Sequence, residues 1–168
     1  MCDMMSKIQW PMVGAIALPH VGAFISVRFL GDDWRPWFET LRKPSWTPPG
    51  YVIGAVWKCL YTGIGYASYL VWKEGGGFNG AAKIPLAVYA AQMSLNYAWS
   101  PIFFGKHALK EAFYEILLLD AAVAGTGYLF YQVSPLAGYL YIPYLMWLSL
   151  ATVINYRIWR GNPSIKAK

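Results

Sequence analysis

Residues 84–104 read IPLAVYAAQMSLNYAWSPIFF, a run without one Asp, Glu, Lys or Arg. About 20 mainly apolar residues in helical form cover the roughly 30 Å of bilayer hydrocarbon, so this stretch by itself predicts a membrane-spanning helix. Working outward, residues 8–27 and 135–156 are equally free of charge. Residues 51–72 and 112–131 also have spanning length; the first carries Lys58, and the second Glu115 and Asp120. The expectation is an all-α membrane protein, a bundle of five transmembrane helices over about residues 8–28, 50–73, 84–104, 108–131 and 135–158. Short connections leave no room for a separate soluble domain, so the 168 residues read as one domain of helices packed on one another. The prolines fall mainly at segment ends, where a missing N–H costs least. Pro19 and Pro143 fall inside spans, where a kink satisfied by neighbouring helices is tolerated. Nothing alternates with period two over repeated segments, which disfavours a membrane barrel.

Composition agrees: 57% hydrophobic, 18% aromatic and 13% charged residues is far from the usual soluble balance. The net charge of +6 is best read through the positive-inside rule. Arg28, Arg35, Arg42, Lys43, Lys106, Lys110, Arg157, Arg160, Lys166 and Lys168 all belong to the face with the first loop, the third loop and the C-terminus. Only Lys7, Lys73 and Lys83 oppose them, so the C-terminus is expected in the cytosol and the N-terminus across the membrane. No basic, aromatic-interleaved surface remains to suggest nucleic acid. Cys2 and Cys59 are too few for a disulfide framework and stand apart from His or acidic partners, so free thiols are expected and no metal. Nothing calls for a cofactor. The N-terminus shows neither a cleaved signal sequence nor a transit sequence, so the first span is expected to stay.

Several span residues point inward. Gln92, Asn96 and Trp99 are spaced by four and three, so they share one helix face. Amides in hydrocarbon need partners, so that face looks into the bundle or a cavity, and interhelical hydrogen bonding and ligand contact weigh equally for it. Tyr144, Trp147, Ala151, Ile154 and Asn155 form a second helical stripe; Ile53, Trp57, Tyr61 and Ile64 form a third, with Gly54 and Ala55 leaving space beside Trp57. Aromatic stripes are more often packing than binding surfaces. Trp57 and Trp147, however, sit a turn or more inside their spans rather than at an interface, which favours a flat apolar ligand.

Trp10, Trp72 and Trp159 lie near segment ends and read as interfacial anchors. Lys58 can snorkel or pair with Asp120 or Glu115; an ion path through these groups would need a ring or relay of charges that the spans lack. His20, alone beside Pro19, reads as a locally hydrogen-bonded histidine. The first loop, residues 30–47, holds Trp34, Trp37 and Trp46, which either lie on the membrane surface or fold over the bundle mouth as a lid; the stiff KPSWTPP that follows favours the lid. Ala87 and Ala91 form a small-xxx-small pair that suits either a homodimer face or packing within the chain. Val153, Tyr156 and Arg160 fit a proposed cholesterol pattern.

Taken in order, KPSWTPP at 43–49, GYASYLVWK at 65–73, LNYAWSPIFFG at 95–105, YQVSPLA at 131–137, YIPYLMW at 141–147 and INYRIWRGN at 154–162 resemble the translocator protein family, also called peripheral-type benzodiazepine receptor or tryptophan-rich sensory protein. The similarity is closer to animal members, which reside in the outer mitochondrial membrane. The resemblance implies a five-helix bundle that acts as a binding and transport protein for cholesterol and porphyrins (protoporphyrin IX or haem), and that also binds benzodiazepine or isoquinoline drugs, in an apolar cavity beneath the first loop. It implies a cavity lined by Trp57, Asn96, Trp99, Trp147 and Ala151, with Ile53, Gly54 and Ile154 beside them, and a cholesterol site at Tyr156 and Arg160. Bacterial relatives are credited with light-dependent porphyrin breakdown through tryptophans matching Trp57 and Trp147, which gives an enzymatic alternative. The chain departs from the family pattern at Ile154, where Leu is common, at Ala87 and Ala91, where some relatives have a glycine pair, and at Glu111, where some animal members have Trp.

Overall fold

The computed structural model describes residues 9–163. Readings that involve Cys2, Lys7, Ile8, Lys166 and Lys168 lie outside the described residues. The chain runs through helices α1 (Trp10–Val27), α2 (Trp34–Thr40), α3 (Gly50–Glu74), α4 (Lys83–Ser100), α5 (Leu109–Val133), α6 (Pro135–Tyr139) and α7 (Tyr141–Gly161). No strand occurs among the described residues. Helix α2 lies inside the segment expected to be a loop, so the first connection is partly ordered as a seven-residue helix.

Prolines set the irregularities. Pro101 has no N–H to offer the Tyr97 carbonyl one turn back. There α4 widens into a π-helical turn, Pro101–Gly105, and the freed Tyr97 oxygen accepts instead from Ser26 Oγ of α1 at 2.6 Å. Pro143 acts similarly on the last span: its ring opposes the Tyr139 carbonyl, and the helix breaks at Leu140. The single helix expected over 135–158 is therefore two, α6 and α7. Pro19 stays inside α1, and the Ala15 carbonyl that it leaves without an N–H lies against α3 at Gly65. A Cβ built on Gly65 would stand 2.7 Å from that oxygen and 2.7 Å from Ile16 Cα, so only glycine permits this crossing.

The main core fills the end of the bundle at which α1 and α3 cross. Ile64, Ala67 and Val71 of α3, Val123 and Phe130 of α5, and Ala137 of α6 are fully buried there. The polar pattern is inverted relative to a water-soluble domain. Leu18, Phe24, Leu118 and Met146 face outward, while Gln92, Asn96, Thr126 and Asn155 are buried. Among the described residues, α1, α5 and the run Pro135–Gly161 are long and apolar enough to cross a membrane. Three of the five expected segments thus meet both length and apolarity. Helices α3 and α4 have the length, 25 and 18 residues. Their apolar character is diluted by Lys58, Thr62 and Ser68 in one and by Gln92, Ser94 and Asn96 in the other.

Candidate functional site

Toward the other end, helices α1, α3, α4, α5 and α7 separate around a cavity of about 510 Å³. Every residue of the three inward stripes that the family resemblance assigns to a ligand lines it: Ile53, Gly54 and Trp57 on α3, Asn96 and Trp99 on α4, and Trp147, Ala151 and Ile154 on α7. Gln92, Ile64 and Tyr144 do not. They lie deeper, fully buried in the core beneath the cavity.

The floor is a hydrogen-bonded polar cluster. Tyr61 OH donates to Asn96 Oδ1 at 2.8 Å, and Asn96 Nδ2 donates to Tyr144 OH at 2.8 Å. Gln92 Nε2 donates to the same tyrosine oxygen at 3.1 Å. Three helices are thus joined through amides and phenols in a region without water to substitute. The two readings of the Gln92–Asn96 face divide between its members: Gln92 serves the bundle, while Asn96 serves the bundle and also faces the cavity.

The walls are aromatic. The Trp57 ring lies 5.3 Å from that of Tyr61 and 6.0 Å, edge-on, from Tyr144. Trp99 stacks on Phe103 at 4.8 Å. Both indole N–H groups of Trp99 and Trp147, and both polar atoms of the Asn155 amide, are buried without a hydrogen-bond partner. Asn155 is 2% exposed. Leaving such groups unpaired costs about 1–3 kcal/mol each, so packing alone is a poor reason to place them on a cavity wall.

The first connection closes the mouth differently from the expected lid. Phe38 of α2, with Thr47 and Pro48 just before α3, reaches the cavity; the tryptophans do not line it. Trp37 instead stacks on His107 at 3.9 Å, and Trp34 packs edge-on against Phe104 at 5.3 Å. His107 adopts φ 53°, the left-handed region, where the chain turns from the π-helical segment into α5. Trp46 is half exposed and belongs to a separate cleft. Sequence reasoning passed over Phe38 because α2 is too short to display a helical period.

His20 also lines the cavity. The Thr62 hydroxyl donates to the Lys58 carbonyl at 2.9 Å, so His20 Nε2 is the donor to Thr62 Oγ1 at 3.1 Å; the bond joins α1 to α3 rather than staying local. The expected pairing of Lys58 with Asp120 or Glu115 is not formed. Lys58 sits at the cavity edge, Asp120 accepts from Thr152 Oγ1 at 2.7 Å, and both Glu115 oxygens are unpartnered. Lys58 lies on α3 and the two acids on α5, and neither acid lines the cavity that Lys58 borders.

Val153, Tyr156 and Arg160 lie on the outer side of α7, exposed and apart from the cavity, with Tyr156 5.4 Å from the Phe113 ring. Ala87 and Ala91 are exposed on α4. Trp10 is exposed, whereas Trp72 and Trp159 are half buried. Cys59 is a free, exposed thiol, and no cluster of metal-ligating side chains occurs among the described residues.

Comparison with known proteins gives these features a lineage. The model of the TspO/MBR family matches residues 15–160. The chain is 47% identical to Translocator protein of Homo sapiens over 152 residues, 90% of each chain. It is 38% identical to Translocator protein 2 of Canis lupus familiaris over 148 residues, 88% of this chain and 86% of that one. Against Protein CrtK of Rhodobacter capsulatus the identity is 36% over 131 residues, 77% of this chain and 81% of the other. With its inverted polarity, multiple apolar helices and a match that spans nearly every helix, this chain is a membrane protein that belongs to the TspO/MBR family.

Proposed function

We propose that this chain binds flat, largely apolar molecules inside its helix bundle: cholesterol and porphyrins, namely protoporphyrin IX or haem, and also benzodiazepine and isoquinoline drugs. The observation that carries this reading is the aromatic cavity of about 510 Å³ with three buried polar groups, on Trp99, Trp147 and Asn155, left without partners. The volume lies within the range of small-molecule sites, and a few convergent polar groups on apolar walls are what such sites use to orient a ligand. In this reading Ile53, Gly54, Trp57, Asn96, Trp99, Trp147, Ala151 and Ile154 contact the ligand. Val153, Tyr156 and Arg160 form a separate sterol contact on the lipid-facing side of α7. Helices α1, α3, α4, α5 and the α6–α7 run make five crossings of the outer mitochondrial membrane, with the C-terminus cytosolic, as one domain. Ala87 and Ala91 offer a homodimer face.

Capture and release suffice as mechanism, with no bond made or broken. Adding protoporphyrin IX to the purified protein should quench tryptophan fluorescence, and Trp147→Ala should weaken the affinity by roughly tenfold or more. Quenching no greater than in empty micelles overturns the proposal. Trp57 and Trp147 line the same cavity, and this favours a second reading, light-dependent porphyrin degradation. If illumination bleaches bound porphyrin equally in the wild type and in a Trp57→Phe, Trp147→Phe double variant, the enzymatic reading fails and binding stands.

A further inference from the structure

A second concavity lies outside the cavity, where the segment between α2 and α3 meets the C-terminal end of α7. It is an open cleft of about 350 Å³ lined by Arg42, Lys43, Pro44, Ser45, Trp46, Arg157 and Gly161. Three of these seven residues are cations and none is an acid. We propose that this cleft is a binding site for the phosphate headgroup of an anionic phospholipid.

The cleft is held together by one amide. Asn162 is buried, and its Oδ1 accepts from the Arg42 backbone N–H at 3.0 Å while its Nδ2 donates to the Arg42 carbonyl at 3.0 Å and to the Ile158 carbonyl at 2.7 Å. This clamp ties positions 120 residues apart in sequence and sets Arg42 against the last turn of α7, beside Arg157. The Arg42 carbonyl comes close enough to Gly161 that a Cβ there would lie 3.6 Å from it. Lys43 is positioned from the other side, its Nζ donating to the Phe38 carbonyl at 2.6 Å and lying 4.2 Å from the Phe38 ring centre.

Gathering three cations around one concavity is repulsive unless an anion joins them. Among the described residues neither Arg42 nor Arg157 has an acidic partner within salt-bridge distance. The C-terminal end of α7 favours positive charge through its dipole, which accounts for Arg157 taken singly. It does not account for the clamp, which holds the Arg42 backbone against α7 and so sets Arg42, with Lys43 next to it in sequence, on the same cleft. Guanidinium forks match phosphate oxygens in pairs, and the Ser45 hydroxyl adds a neutral donor. The half-exposed Trp46 indole is suited to the depth at which headgroups lie. A lipid headgroup satisfies both the charge and the indole, whereas a free phosphate satisfies only the charge. The cleft also lies on the end of the molecule at which basic residues predominate, the end expected to face anionic lipid.

Native mass spectrometry of the full chain, released from micelles doped with equal phosphatidylglycerol and phosphatidylcholine, tests the assignment. The wild type should retain one phosphatidylglycerol selectively, and Arg42→Gln with Arg157→Gln should reduce that selectivity roughly tenfold. Both substitutions leave the backbone clamp to Asn162 intact, and unchanged helical circular dichroism checks the fold. Arg28→Gln with Arg35→Gln removes equal charge elsewhere on the same face and should leave the selectivity in place. An equal loss in that control, displacement of the lipid by stoichiometric inorganic phosphate, or undiminished selectivity in the Arg42, Arg157 variant would each overturn the site.

Discussion

At one end of the bundle α1 rests on α3 so closely that Gly65 leaves no room for a methyl group; at the other, the same two helices help to wall a cavity of about 510 Å³. The tight end is made of small and branched residues, Ile64, Ala67, Val71, Val123 and Ala137, buried without residue. The open end is made of Trp57, Trp99, Phe103 and Trp147, whose flat rings line a space instead of filling one. With lipid outside as apolar as the side chains themselves, close packing is what holds membrane helices together. The tight end therefore provides the cohesion that lets the other end remain hollow. Between them sits the Tyr61–Asn96–Tyr144–Gln92 cluster, which joins α3, α4 and α7 where the two ends meet.

The largest effect is expected from breaking the tight end. Gly65→Val should drive α1 away from α3, because the atoms met are backbone and cannot turn aside; a loss of about 3 kcal/mol should appear as a lowered thermal transition in detergent. Retention of the wild-type transition would mean that the crossing is not what holds the open end. A smaller loss, about 1.5 kcal/mol, should follow Tyr144→Phe, which deletes the oxygen that accepts from both Gln92 and Asn96. Porphyrin affinity should fall with it if the cluster sets the cavity shape, and stay constant if the cluster serves only cohesion. The smallest change in stability belongs to Asn155→Leu. Removing two buried polar atoms that lack partners should leave the thermal transition unchanged or slightly raised, while ligand affinity drops; a clear destabilisation would assign Asn155 to packing.

Much of this was legible because hydrocarbon imposes simple rules. Charge-free length located α1, α4 and the α6–α7 run, and helical spacing placed Asn96, Trp99, Trp57 and Trp147 on faces that do meet around one space. Helices α3 and α5 were read from length alone, because Lys58 interrupts the first and Glu115 and Asp120 the second. The break at Leu140 is a backbone consequence of Pro143 that hydropathy does not register. Helix α2 and Phe38 escaped because seven residues give no period. Whether Lys58 snorkels or pairs with Asp120 or Glu115 stayed open in the sequence, because relative rotation and depth of two spans are fixed only by packing. The clamp from Asn162 to Arg42 spans 120 residues, a separation at which local pattern carries no information.

The bond from Ser26 to the Tyr97 carbonyl has a bearing on how the molecule is assembled. Helix α4 carries one oxygen that its own turn cannot serve once Pro101 follows, and in lipid such a group costs several kcal/mol until a donor arrives. The donor lies on α1. Until α1 packs against α4 that oxygen has no donor, so α4 reaches its full set of hydrogen bonds only as part of the bundle. Ser26→Ala would withdraw that donor while leaving the apolar contacts between the two helices in place.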